Sequence, residues 1–196
     1  MDTHIQNFTN LTVDLIHYAS QDVKENYSDY EIPSNHNVLS THLALFGANK
    51  KYDVKVAILK KHGEKIILCG NGVCNYVDYS TVGNILFGYI SAQREISKGI
   101  LWLASGYLET SDRLLQGKDI LWENWPSYLD DPGDKAAVDF GINLFDPEFF
   151  GTTVEKFQMA LTPNILNSFQ SSTKINNKSQ ISLNNNLNFM DYIIIE

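Results

Sequence analysis

Apolar positions along the chain follow two different periods. In residues 9–25, Leu11, Leu15, Ile16, Ala19 and Val23 recur at three- and four-residue steps and so share one helix face. Thr9 or Asn10 can cap the start of that helix. Residues 26–38 are polar, contain Pro33 and read as a loop. A second helix is expected from about Ser40, with Leu39, Leu43, Leu45 and Phe46 apolar, stopping near Gly47. The period then shortens. Val54–Lys60, Lys65–Cys69 and Val73–Tyr79 are rich in Val, Ile and Tyr and are broken at His62-Gly63 and Asn71-Gly72. That punctuation predicts a two- or three-stranded antiparallel sheet over about residues 54–79.

From Val82 the helical period returns. Ile85, Leu86, Tyr89 and Ile90 group together, and after Ser97 so do Ile100, Leu101, Leu103, Ala104, Tyr107 and Leu108. Gly83, Gly88, Gly99 and Gly106 recur inside these segments. A helical glycine costs about 1 kcal/mol against alanine, so close backbone approach is the expected reason for them. Residues 117–131 read as a loop holding Trp122, Trp125 and Tyr128. Asp131-Pro132-Gly133-Asp134 then opens another helix, with Asp131 as N-cap, Pro132 at N1 and the acid Asp134 at N3, facing the positive helix end. Ala137, Val138, Gly141, Ile142 and Phe145 continue that helix. One more helix is expected within 149–170. Ile181–Leu183 and Leu187–Ile195 alternate as the arms of a late hairpin would, around Asn184-Asn185-Asn186. The pattern as a whole predicts an α+β fold. One mostly helical domain spans 1–160, and 161–196 form an Asn- and Ser-rich appendage.

Composition narrows the picture. The chain has 196 residues, 43% of them apolar, and a formal charge of −8. A broad basic footprint for nucleic acid or an anionic membrane is absent. Lys50, Lys51, Lys55, Lys60, Lys61 and Lys65 form one basic cluster, read as a solvated sheet face, with a phosphate-facing patch as the minority reading. No run reaches the roughly 18 apolar residues of a membrane span, so no membrane insertion is expected. The opening residues carry neither a basic n-region nor an apolar run, so synthesis in the cytoplasm without a Sec leader is expected. The two cysteines, Cys69 and Cys74, read either as small residues flanking an Asn-Gly turn or as a disulfide across it.

The chemistry on offer is carboxylates and carboxamides. Gly-x-Ser-x-Gly, Walker, His-Glu-x-x-His and zinc spacings are all missing from the sequence. None of the five histidines falls within 79–145, so a histidine mechanism there would borrow His17, His36, His42 or His62. Asp130, Asp131 and Asp134 stand together beside aromatic residues. Close carboxylates split their pKa values, so one can act as acid and another as base, as in glycan cleavage or metal-assisted phosphodiester cleavage. The helix cap alone also accounts for Asp131 and Asp134, though not for Asp130. Asn84 can donate and accept at once, and so could orient a phosphate or a carbonyl, or simply bridge backbone segments. No cofactor is expected, and a divalent metal at the Asp cluster stays open.

Three stretches together resemble the type 44 domain of bacterial polymorphic toxins. They are Gly83-Asn84-x-x-Phe87-Gly88-Tyr89, the helix ending Ala104-Ser105-Gly106, and Tyr128-x-Asp130-Asp131-Pro132-x-Asp134-x-x-x-Val138-x-x-Gly141-x-x-x-Phe145. Tyr52-Asp53-Val54-Lys55 is similar to that family's aromatic-Asp-aromatic-Lys element, with Val54 in place of the second aromatic. Leu129 stands where the family has glycine before the Asp pair. The resemblance covers residues 79–145 and implies an antibacterial toxin, secreted or injected into a rival cell. It also implies a cognate immunity protein and a delivery machinery or chaperone as partners. The implied activity is that of an RNase, which makes RNA the first expected substrate; the acidic charge, the carboxylates beside aromatics, the lack of a local histidine and the possible Cys69–Cys74 disulfide make cell-wall peptidoglycan the second. A non-enzymatic interaction protein is the third reading. The implied catalytic residues are Asp53, Lys55, Asn84, Asp130, Asp131 and Asp134, with Tyr89, Trp125 and Tyr128 binding substrate.

Overall fold

A computed structural model describes residues 7–27, 43–47, 50–103, 131–148, 151–169 and 187–193, with single residues at 114, 117 and 119. Its elements run α1 (Thr9–Tyr27), α2 (Val54–His62), β1 (Lys65–Gly70), β2 (Val73–Asp78), α3 (Ser80–Gln93), α4 (Pro132–Leu144), α5 (Val154–Ala160), α6 (Pro163–Ser168) and a 3-10 turn (Phe189–Tyr192). This is the expected α+β class, with helices around a two-stranded antiparallel sheet. The expected face of α1 is the buried one: Leu11, Leu15, Ile16, Ala19 and Val23 all lie in the core. Residues 43–46 are helical and end where the Gly47 amide bonds the Leu43 carbonyl. Residues 98–103 are helical too, and the rest of that segment lies outside the described residues.

Two expectations about strands are corrected. Val54–Lys60 is not a strand but the body of α2. Its β-branched residues suggested a sheet, yet Val54 and Ile58 are four apart and both fully buried, which is helix spacing. Lys60, Lys61 and His62 fill its last turn, where cations favour the negative helix end, and Gly63 (φ 82°) ends it. The lysine cluster therefore sits mainly on a helix and the turn before it, not on a sheet face. In the late hairpin, residues 189–192 form a 3-10 turn instead of a strand arm, because the Asn188 side chain accepts from the Met190 amide and Tyr192 turns inward. The other arm and the Asn turn lie outside the described residues.

The hairpin that does form is pinned at its tip. Asn71 and Gly72 have φ of 49° and 72°, the positive pair that a two-residue loop requires. Cys69 then faces Cys74 directly, and a disulfide joins them. Residues 149–170 hold two short helices, opened by the side-chain caps Thr153 and Thr162. Leu161, Leu166, Phe169, Tyr192 and Ile193 belong to the same buried cluster as α1 and α3. A boundary at residue 160 would cut through this core, so the described residues beyond it are part of the domain.

The closest packing is between α3 and α4. A Cβ at Gly88 would lie 2.9 Å from the Val138 carbonyl carbon and still closer to its oxygen. A Cβ at Gly141 would lie 2.8 Å from the Tyr89 amide nitrogen and closer still to the Ile85 carbonyl oxygen. Both glycines thus let backbone meet backbone, and neither obstacle can rotate away. Contacts advance along both helices together, from Ser80–Asp134 to Tyr89–Phe145, so the two run in the same direction. Gly141→Ala should therefore lower unfolding free energy by about 1–3 kcal/mol, as overpacking does. Urea titration checks this through a lower midpoint at unchanged slope.

Candidate functional site

Because α3 and α4 run side by side in one direction, their N-terminal ends meet, and four polar elements converge there. At the start of α3 the Ser80 amide donates to Asp78 Oδ1 at 3.0 Å. At the start of α4 the Gly133 amide donates to Asp131 Oδ1 at 2.7 Å. Each helix thus has a carboxylate at its positive end. Asp134, at N3 of α4, does not complete that cap. It turns across to α3, where the Ser80 hydroxyl donates to its Oδ1 at 2.7 Å. Asp134 keeps some exposed surface, but its carboxyl end lies deep among neighbouring atoms. Burial pushes that carboxyl above the usual carboxylate range. The Lys55 ammonium and the Ser80 hydroxyl pull it back, while Asp131 and Asp78 push it up again.

Lys55 reaches the cluster from α2. Its stem crosses α3 at Gly83, where a Cβ would meet Lys55 Cγ at 2.8 Å and Cε at 3.2 Å. The turn before α2 is held firmly. Tyr52 is buried, its hydroxyl donates to Asp22 Oδ2, and Lys51 Nζ donates to Asp22 Oδ1 at 2.8 Å. Burial opposes ionisation of Asp22, yet the hydrogen bonds from Lys51 and Tyr52 outweigh it and hold the carboxyl below its usual range. Asp53 begins α2 without a side-chain cap bond to it. The Tyr79 phenol is half-buried between these groups, and its pKa is raised by burial and by Asp78, Asp134, Glu64 and Asp53.

The structure therefore brings Asp53, Lys55, Asp131 and Asp134 around Tyr79 and Ser80. Asn84 stands one turn after Ser80 on the same face of α3, and its side chain leans back towards the helix start. It is 6% exposed, and its Nδ2 has no hydrogen-bond partner among the described residues. Tyr89 is corrected: expected at the substrate, it is fully buried, its hydroxyl donating to the Gly151 carbonyl at 2.8 Å and accepting from the Gly151 amide at 3.0 Å. Burial pushes its phenol up to about 12. Asp130, Trp125 and Tyr128 lie outside the described residues, as do His36 and His42. His17 packs against Gly151, and His62 Nε2 pairs with the Tyr192 hydroxyl at 2.8 Å.

Sequence reasoning missed Asp78, Tyr79 and Ser80 as site residues. Asp78 two positions before an apolar helix is a start signal of the kind recognised at Asp131. Among the described residues no three of His, Cys, Asp or Glu are grouped so as to hold a metal ion, and no helix is long and apolar enough to cross a membrane. A separate pocket of about 400 Å³ lies across α4, between it and α5–α6, lined by Ala136, Phe140, Asn143, Leu144 and Ile165 among others. Comparison with family models, curated proteins and solved structures found no match.

Folding raises the Asp134 pKa, so the folded chain binds this proton more tightly than the unfolded chain does. The stability it contributes is full below about pH 4 and falls as pH rises through the raised value. Asp134→Asn keeps an acceptor for Ser80 and removes that loss. The variant should be at least as stable as wild type at neutral pH and should lose less stability above about pH 4, as read from urea unfolding across pH.

Proposed function

We propose that this chain is a hydrolase acting as an antibacterial toxin, and that it cleaves glycosidic bonds of the bacterial cell wall. The observation that carries the reading is Asp134: a carboxyl raised by burial, fixed by Ser80, and surrounded by further carboxylates. A carboxyl that keeps its proton to higher pH can give it to a leaving oxygen, while Asp53 or Asp131 serves as base or nucleophile. Local charge supports a neutral or weakly charged substrate. Asp53, Asp78, Asp131 and Asp134 outnumber Lys55 and Lys65, so a polyanionic backbone would meet repulsion. The Cys69–Cys74 disulfide supports work in an oxidising compartment, such as the one where the wall lies. The toxin role, the immunity protein and the delivery machinery rest on the resemblance of residues 79–145.

RNA cleavage is the second reading. Lys55 within the cluster, with Lys60 and Lys61 exposed further along α2, favours it by offering cations to a phosphate chain.

Directing the chain to one compartment at a time separates the two. Export to the periplasm should lyse cells and release wall fragments, while cytosolic expression leaves growth and RNA intact. Asp134→Asn should lower wall-hydrolysing turnover by about 10²–10⁴, the usual contribution of a general acid. Growth arrest with RNA loss from the cytosolic form would select the second reading. Full activity of Asp134→Asn in both compartments would remove the site from either mechanism.

A further inference from the structure

Gly83 is unlike the two packing glycines. It lies on the face of α3 turned to α2, and the three atoms nearest its missing Cβ are Cγ, Cε and Cδ of Lys55, at 2.8, 3.2 and 3.5 Å. No backbone is among them. Cγ is close to the Lys55 main chain, so a Cβ at 83 cannot be relieved by moving the ammonium tip alone; the whole stem must swing. Val54 and Ile58, on either side of Lys55 in α2, are fully buried, so the helix cannot turn to make room.

We infer that Gly83 is a positioning residue: its bare Cα is the slot through which the Lys55 side chain crosses α3, so that its ammonium is held where its charge acts on Asp134. Among the described residues, the groups acting on or beside Asp134 come from four elements. Lys55 comes from α2, Asp78 from the end of β2, Tyr79 and Ser80 from the start of α3, and Asp131 from its own helix. Among the described residues Lys55 is the cation that acts on Asp134, Lys65 being paired with Asp78, so displacing its stem leaves the carboxyl mainly among acids. The slot thereby sets the proton affinity of the group proposed above as the acid. The inference deepens the hydrolase reading, but its readouts need no substrate, so either can fail while the other stands.

The experiment compares the full-length chain with Gly83→Ala, Lys55→Ala, Lys55→Met, and Gly83→Ala combined with each lysine variant. Thermal unfolding and the carboxyl ¹³C titration of Asp134 are measured on each. With Lys55 present, Gly83→Ala should lower Tm and raise the Asp134 midpoint by about half a pH unit or more, in the same direction as Lys55→Ala. With Lys55→Ala, the clash is gone and alanine is the better helix former, so Gly83→Ala should raise Tm by about 2–4 °C and leave the midpoint unmoved. With Lys55→Met the stem remains without its charge, so Gly83→Ala should again lower Tm while the midpoint stays put. These double variants keep the test readable even where Gly83→Ala alone folds poorly. An equal Tm loss from Gly83→Ala in all three backgrounds, or midpoint shifts that add in the double variants, would overturn the inference.

Discussion

The contact of bare backbone between α3 and α4 is what the rest of the molecule depends on. Gly88 against Val138 and Gly141 against Ile85 and Tyr89 bring the helices closer than side chains allow. Such closeness fixes rotation and offset as well as distance, since of the four glycines in the two helices only these two meet the other helix's backbone. The helices run in one direction, so fixing their offset also fixes how their N-terminal ends meet. Ser80 and Asp134, 54 residues apart in sequence, come within hydrogen-bond reach for that reason. Tyr89 strengthens the arrangement from the other side, holding residue 151 through both backbone groups and packing edge-on to Phe145.

Two positive helix ends side by side ask for negative charge, and the chain answers with more carboxylates than the ends can use. Asp78 and Asp131 take the backbone donors. Asp134 is left with a hydroxyl and a lysine, deep enough that ionisation is costly. Capping and the buried contact across the helices are thus divided among neighbouring residues of one type. The division follows from which carboxylate reaches a backbone N–H and which does not.

Much of the fold was readable because it rests on local rules. The apolar face of α1, the Asp131-Pro132 helix start and the Asn71-Gly72 turn each have a short-range cause that a single sequence displays. Failures came where tertiary context decides. Val54–Lys60 looked like a strand by its β-branched residues, and burial of Val54 and Ile58 four apart made it a helix. Tyr89 looked like an aromatic at a binding surface, but its ring packs on Phe145 and its hydroxyl is bonded to the Gly151 backbone inside the core. Asp134 was ambiguous for a sound reason: at N3, an acid that serves the cap and one that serves a site look alike. Only Ser80, contributed from another helix, tells them apart, and no local pattern predicts that contact. Asp53 and Lys55 were found through resemblance to a family, since nothing in their spacing links them to residues 80 or 134.

Lys55, the cation acting on Asp134, owes its place to an anchor outside the cluster. Tyr52 is held by Asp22 of α1, and Lys51, lying over the Tyr18 and Tyr52 rings at 5.8 and 5.5 Å, shares the same carboxylate. Val54 follows in the core. With Tyr52 and Val54 both buried, Asp53 and Lys55 cannot drift. The site then holds the Lys55 charge at a set place, with Lys65 paired to Asp78, among more numerous negative ones. A substrate carrying a charge on every unit would gain one favourable contact and several unfavourable ones along its length. A substrate with dispersed hydroxyls and few charges avoids that imbalance, and it can still use the lysine where negative charge develops on an oxygen in the transition state. In the hydrolase we propose, the charge balance around Asp134 therefore favours a sugar chain over a phosphate chain.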